Sequence, residues 1–524
     1  MRYAPPPLGY ASRMTKWLIF FALAVVIGVP FAVRPPEATA PKGAERLVII
    51  TPHIEPIRVE FSRGFDEWHR RNFGTPAVID WRVPGGTSDI QKQLKAVYEK
   101  AITSGQLLPS GELATGFPPM PFDLFFGGGT YEHGETKKGV KARPPSSDKD
   151  ISLSMSVSAG LAQAALDECF GENALGSGFL YDPPDSSKND PGQFWIGTAA
   201  SGFGIVYNRD LLETFNLPEP DAWEDLCAPG LTGWIALADP RQSGSVATLY
   251  DSVLNNHGWE KGWRILREMG ANARYFTNSS PKVPIDVSQG EAVMGVAISH
   301  YGRYQAQMVM RAGETPETSR VGYVDPPGVV YVDADPISLM RGGSNPVVAR
   351  RFIDFCLSEE GQALWQFHAR ESADGLGPHQ FELRRMPLRR SMYTKYRDRM
   401  IDKVSPFEIA STVKEKGWRS AVAPMMGAFA IDTHSEIKRA WDAMNAARAR
   451  GAPAERLAAI ERAFYAFPDW IIDGKPVPFT EANYKAIRAA WKDAESKGEM
   501  PAIKAAWISF FRHQYAEVER LAAP

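Results

Sequence analysis

The 524-residue chain has only three cysteines, Cys169, Cys227 and Cys356, and none stand in CxxC spacing. That excludes a cysteine zinc knuckle and a CxxC redox centre. It leaves at most one disulfide with a thiol left over, or three small buried side chains. An excess of one charge is also missing: 59 Lys and Arg against 61 Asp and Glu give a net charge of −2. No global basic field therefore points to nucleic acid. There is no GxxxxGK[ST] loop, so P-loop nucleotide hydrolysis is not indicated. There is no GxSxG elbow and no HExxH pair, and no catalytic residue is assigned. Internal repeats and low-complexity runs are lacking, and only one apolar stretch approaches the length of a membrane span.

That stretch is residues 17–33, preceded by Arg2, Arg13 and Lys16 and followed by Ala38-Thr-Ala40. Basic residues, an apolar run and an A-x-A-like site form the export pattern. Residues 1–44 are expected to be either a cleaved signal peptide or a retained N-terminal membrane anchor. Either places the rest of the chain in the periplasm or elsewhere outside the cytoplasm. The retained form would be tethered to the inner membrane by residues 17–33.

Residue 45 onward alternates short apolar runs with amphipathic ones. Strands are expected at 47–50, 78–83 and 122–126. The first helix would turn Val59, Phe61, Phe65 and Trp68 inward and Arg58, Arg63, Arg70 and Arg71 outward. A second helix is expected at 89–102 and a polar exposed loop at 137–150. Strand, loop and helix in repetition mean an α/β fold with a mostly parallel sheet, whose ligands sit beyond the carboxyl ends of strands. Further helices are expected at 246–255, 258–270 and 283–289, with a strand at 296–301. The basic, Pro-broken segment 383–390 reads as a solvated linker. Helical periodicity returns at 435–449, 454–465, 480–497 and 502–522.

Residues 199–210, AASGFGIVYNRD, are a Gly-loosened strand ending in a helix-entry signal, suited to a crossover between lobes. This run, with Asp221-Ala-Trp-Glu-Asp-Leu226, Gly230-Leu-Thr-Gly233, Ala236-Leu-Ala-Asp-Pro240 and the SEEGQ that ends at Gln362, resembles extracellular solute-binding proteins of ABC importers. The likeness is to the ferric-iron and small-solute branch. It implies a two-lobed α/β type II periplasmic-binding-protein fold; from about residue 383 the likeness fades, and the helical periodicity there adds a C-terminal helical extension. Lobe 1 would be residues 45–197 with 335–380, and lobe 2 residues 198–334. Residues 381–524 would extend lobe 2 or form a helical appendage. The resemblance also implies no enzymatic activity, a monomer, an ABC permease as membrane partner and a small solute trapped by lobe closure.

The candidate ligand-binding residues sit in loops at strand ends. They are His53; Gly86, Thr87 and Ser88; Gly128, Gly129 and Thr130; and Ser201 on the crossover. From the opposite lobe come Arg241, Ser243, Gly244, Ser245, Ser280 and Tyr301, with Asp335 on the return crossing. Glycines before a helix let backbone N–H groups approach an anion, and Ser, Thr and Arg add donors. These features favour an anionic or phosphorylated solute and require no cofactor. The alternative is ferric iron held by His53, Tyr301 and Tyr304. Iron-binding relatives carry two adjacent tyrosines where this chain has Tyr301, Gly302, Arg303 and Tyr304. A membrane-anchored ligand sensor and a secreted enzyme are the alternatives of other classes.

Overall fold

The computed structural model describes residues 20, 23, 41, 43–315, 318–326, 328–369 and 374–524. The chain divides into units 1–44 and 45–524, and the fold below is that of the second. The expected signal peptide or anchor lies almost wholly outside the described residues. Among the described residues no helix is long and apolar enough to cross a membrane.

Ten strands matter here: β1 (Glu45–Ile50), β2 (Ala77–Arg82), β3 (Leu124–Phe126), β4 (Ile196–Asn208), β5 (Ile235–Ala238), β6 (Ala273–Thr277), β7 (Met294–Ile298), β8 (Val321–Val324), β9 (Val332–Met340) and β10 (Met386–Pro387). They run in the order β2-β1-β3-β9-β4-β7-β5-β6. β4 is buried along its whole length. Its first half pairs antiparallel with β9, from Ile196–Ile337 to Gly202–Val332. Its second half pairs with β7, from Phe203–Ile298 to Tyr207–Met294. β8 joins the same half of β4. The chain thus enters a second lobe along β4 and returns between β8 and β9. With the return strand set between β3 and β4, the result is an α/β, two-lobed type II periplasmic-binding fold. Glycine is required at the crossover, since a Cβ on Gly204 would stand 2.6 Å from the Tyr323 hydroxyl.

Eight helices flank these strands: α1 (Glu55–Phe73), α2 (Thr87–Thr103), α3 (Thr130–Lys138), α4 (Gly244–His257), α5 (Trp259–Asn272), α6 (Ser299–Met308), α7 (Pro346–Leu357) and α8 (Glu359–Gln366). The lobe 1 core gathers Phe61, Phe65, Phe126, Phe352 and Trp365. Ser358 interrupts the run toward SEEGQ by accepting a hydrogen bond from the Gly361 N–H, which caps α8.

Several sequence expectations are corrected. Val59 is exposed, while Glu60 is fully buried. Glu60 is tolerated there because its carboxylate accepts N–H bonds from His379, Gln380 and Phe381, at 2.7–2.9 Å. The expected loop at 137–150 begins in α3 and holds one strand of a hairpin, Val140–Ala142 with Ile151–Leu153. The strand expected to reach Tyr301 ends at Ile298, so Tyr301 lies in the first turn of α6. No disulfide forms, and all three cysteines are free and buried.

The region from residue 383 departs most from expectation. Leu383, Arg384, Arg385, Met386 and Leu388 are buried. β10 adds to β4 opposite Ala199 and Ala200. Residues 411–416 then cross to lobe 2. The Ser411 N–H donates to the Val330 carbonyl at 3.1 Å, and the Lys416 N–H to Asn255 Oδ1 at 2.9 Å. The helices beyond are α9 (Arg419–Met426), α10 (His434–Ala449), α11 (Ala454–Tyr465), α12 (Glu481–Ser496) and α13 (Met500–Ala522). They share the lobe 2 core, where Trp418 meets Trp259 edge-on at 5.2 Å. Arg267 of α5 is buried among Phe429, Phe467 and Phe511 and donates to the Ala466 carbonyl at 2.9 Å.

Candidate functional site

Loops at the carboxyl ends of β1, β2, β3, β5, β6 and β7 converge on a cleft of about 410 Å³ between the lobes. The parallel strands of each lobe aim these ends inward, where open α/β sheets place ligands. The volume suits a small organic solute. The lobes touch at its rim. Thr87 Oγ1 accepts the Gly244 N–H at 2.9 Å, and a Cβ on Gly86 would stand 2.6 Å from the Gln242 carbonyl oxygen. A small inner recess opens from the cleft toward Gly129, Ser201, Asp335 and Arg385.

Two guanidinium groups line the cleft, Arg58 of α1 and Arg385. Among the described residues Arg58 makes no ion pair or side-chain hydrogen bond, and its buried Nε has no partner. The N-termini of α2 and α4 reach the same space through Gly86, Thr87, Ser243 and Ser245, adding partial positive charge. Asp89 at the mouth is paired with Lys92 at 3.2 Å.

Below the cleft lies a buried polar chain. Asp335 ion-pairs with Arg385, accepts the Gly128 N–H at 2.8 Å, and lies 3.0 Å from His53 Nε2. Burial, then Arg385 and Arg58, hold the His53 pKa well below the ordinary imidazole range. A neutral His53 beside a carboxylate must carry its proton on Nε2. Its Nδ1 is then a bare acceptor, buried and without a partner. His300 of α6 has the opposite tautomer. Arg385 can only donate to His300 Nε2, at 3.2 Å, so Nδ1–H faces Ser201 Oγ at 3.3 Å. Burial, then Arg385, lower the His300 pKa as well. Tyr301 packs against His300 with ring centroids 4.0 Å apart and the planes tilted by 51°, and burial raises its hydroxyl pKa.

Of the residues singled out from sequence, His53, Gly86, Thr87, Gly128, Ser243, Ser245, Ser280 and Tyr301 line the cleft. Gly129, Ser201 and Asp335 line the recess. Others fall elsewhere. Ser88, Arg241 and Gly244 face a separate groove. Arg241 is spent on ion pairs to Asp239 at 2.8 Å and Asp432 at 2.9 Å. Thr130 donates to Asp333 at 2.8 Å on the far side of the hinge. Tyr304 is absent from the cleft lining, one helical turn beyond Tyr301.

Sequence reasoning missed Arg58, Gln242, Asn278 and Arg385. Arg58 was legible in part: it sits in the first turn of a helix that follows a strand end. Arg385 had no local signal, because a basic segment reads as solvated until its burial is known.

Strand order and an interlobe cleft define the two-lobed type II fold. The sequence profile of the bacterial extracellular solute-binding proteins matches residues 162–376 of this chain. The phosphoglycerate transport regulatory protein PgtC of Salmonella typhimurium is 26% identical over 171 residues, covering 32% of this chain and 40% of the relative. The match thus spans about two fifths of that relative's length. Among solved structures, AfuA of Actinobacillus pleuropneumoniae with exogenous fructose-6-phosphate bound is 18% identical. It covers 61% of this chain and 81% of AfuA, at a TM-score of 0.43. Iron-bound HitA of Pseudomonas aeruginosa is 16% identical, covering 73% and 99% of the two chains at a TM-score of 0.48.

Proposed function

We propose that the cleft captures a small anionic solute, phosphorylated in the favoured case, for delivery to an ABC permease, without catalysis. The observation that carries this reading is Arg58, a cleft-lining guanidinium with no carboxylate partner among the described residues. An unpaired buried donor is costly unless a ligand accepts from it, and guanidinium matches phosphate geometry. The name of the PgtC relative, a phosphoglycerate transport regulatory protein, supports the same chemistry. The word "regulatory" in it favours a second reading, in which the bound form reports the solute to a membrane partner. The ferric alternative has less support, because Tyr304 is outside the cleft and two guanidinium groups would face the cation.

The test is isothermal titration of the full chain with fructose 6-phosphate, glycerol 3-phosphate, inorganic phosphate and ferric citrate. Binding of a phosphorylated probe, weakened roughly 10- to 100-fold in Arg58→Ala, is expected for a charge-assisted hydrogen bond. A ferric hit lost in His53→Ala/Tyr301→Phe, with no phosphate binding, would replace this reading with the iron one.

A further inference from the structure

We propose that Arg385, carried by the segment after residue 380 that packs into lobe 1 beside β10, is a specificity-determining residue of the cleft that binds the solute's oxyanion. This rests on the anionic-solute reading above.

The guanidinium of Arg385 stands where the two lobes meet. It ion-pairs with Asp335 of lobe 1 and donates to His300 of lobe 2 at 3.2 Å. It lines both the cleft and its inner recess. Its Nε–H is buried with no acceptor among the described residues. An arginine has five N–H donors in a fixed fork, so a carboxylate, an imidazole and the adjacent Tyr301 hydroxyl still leave the Nε–H over. A buried donor without a partner marks a place where an acceptor is expected, and only the cleft can supply one.

The backbone that presents Arg385 is fastened on both sides. Its N–H donates to the Trp365 carbonyl at 3.1 Å, and β10 is hydrogen-bonded to β4. Glu382 and Arg384 grip the Gln307 side chain of α6 at 2.5 and 2.6 Å. A guanidinium held this firmly is preorganised and gives specificity as well as attraction. The neighbouring His53 Nδ1, a bare buried acceptor, completes the selection by asking for a hydroxyl or amine hydrogen. Arg58, Arg385 and His53 together fit an oxyanion borne on a hydroxylated carbon frame.

The experiment compares the full wild-type chain with Arg58→Ala, Arg385→Lys and the double variant Asp335→Asn/Arg385→Gln. The double variant removes both buried charges together, so no orphaned carboxylate unfolds the protein. Titrants are fructose 6-phosphate, glycerol 3-phosphate and inorganic phosphate. The double variant is expected to melt near wild type without ligand and to lose about 50-fold or more in affinity. Arg385→Lys should lose about tenfold, because an ammonium cannot supply the fork. A folded double variant that binds as wild type, beside an Arg58→Ala that does not bind, overturns the role of Arg385 and leaves the anionic reading standing. If the double variant does not fold, Arg385→Lys decides, and unchanged affinity there overturns the proposal. Failure of all three probes on wild type removes the anionic reading, and this inference with it.

Discussion

Glu132 of α3 and Arg419 of α9 form an ion pair at 2.8 Å across the two lobes. Both side chains are largely buried. Arg419 also donates to the Gly244 carbonyl at 2.8 Å and Thr248 Oγ1 at 3.1 Å, and lies over the Tyr131 ring at 3.8 Å. Burial pushes the Glu132 carboxyl above its ordinary range, and Arg419 opposes that rise. The extension therefore supplies one half of an ion pair that bridges the lobes.

Removing Arg419 leaves Glu132 buried and uncompensated. Arg419→Met is expected to cost about 3–5 kcal/mol in chemical denaturation, as for other broken buried pairs. Glu132→Gln/Arg419→Met should recover part of it. Solution scattering should show a larger radius of gyration for the single variant; an unchanged radius would mean that the pair does not hold the lobes together.

Gly86 tests closure without touching charge. Its φ of −72° admits any residue, so alanine carries no backbone strain. The added Cβ would nevertheless stand 2.6 Å from the Gln242 carbonyl of the facing lobe. Gly86→Ala should melt near wild type yet bind the solute about tenfold more weakly, a loss of about 1.4 kcal/mol. A parallel loss of fold stability would place the contact in folding rather than closure.

The cysteines should be silent. Burial pushes the Cys169 thiol up to about 12, and Cys227 and Cys356 well above the ordinary range. Thiolate is the reactive form, so a disulfide-exchange reagent should label no cysteine in the native protein and three after denaturation. Reductant should leave the melting temperature unchanged.

Asp251 of α4 gives a signed pH dependence. Burial, then Glu415, pushes its carboxyl from 3.8 up to about 7. Below pH 4 the folded and unfolded chains both hold the proton, and nothing is lost. Between about pH 4 and 7 only the unfolded chain ionises, so stability falls as pH rises. Asp251→Asn should remove this slope, shifting the difference from wild type by up to about 4 kcal/mol across that window. A difference that stays constant from pH 4 to 8 would contradict the shift.

The elements that depend on local pattern were legible in the sequence. The crossover strand and the strand-end loops follow from a Gly-loosened apolar run with a helix-entry signal and from Gly-rich breaks after apolar runs, and the four tail helices at 435–449, 454–465, 480–497 and 502–522 follow from period-3.6 signals. His53, Thr87 and Ser245 followed from the rule that parallel strands carry ligands at their carboxyl ends. The failures share one cause, tertiary burial of polar residues. Val59 reads as core-facing until Glu60 is seen to take the inward position, satisfied by three backbone N–H groups from residues 379–381. Arg241 reads as an oxyanion donor until Asp239 and Asp432 are seen to claim it. Arg385 reads as linker charge until β10 joins the sheet.

Residues 411–416 give this chain a third passage between the lobes, beside β4 and the β8–β9 return. The passage is anchored by Tyr331 to Glu415 at 2.5 Å and by Ser177 to the Val413 carbonyl at 3.0 Å. Two adjacent tethers let two bodies both bend and swivel; a third restricts the swivel. Much of the ordering that capture would otherwise require is thus already written into covalent connectivity, and the entropy lost on closing is smaller.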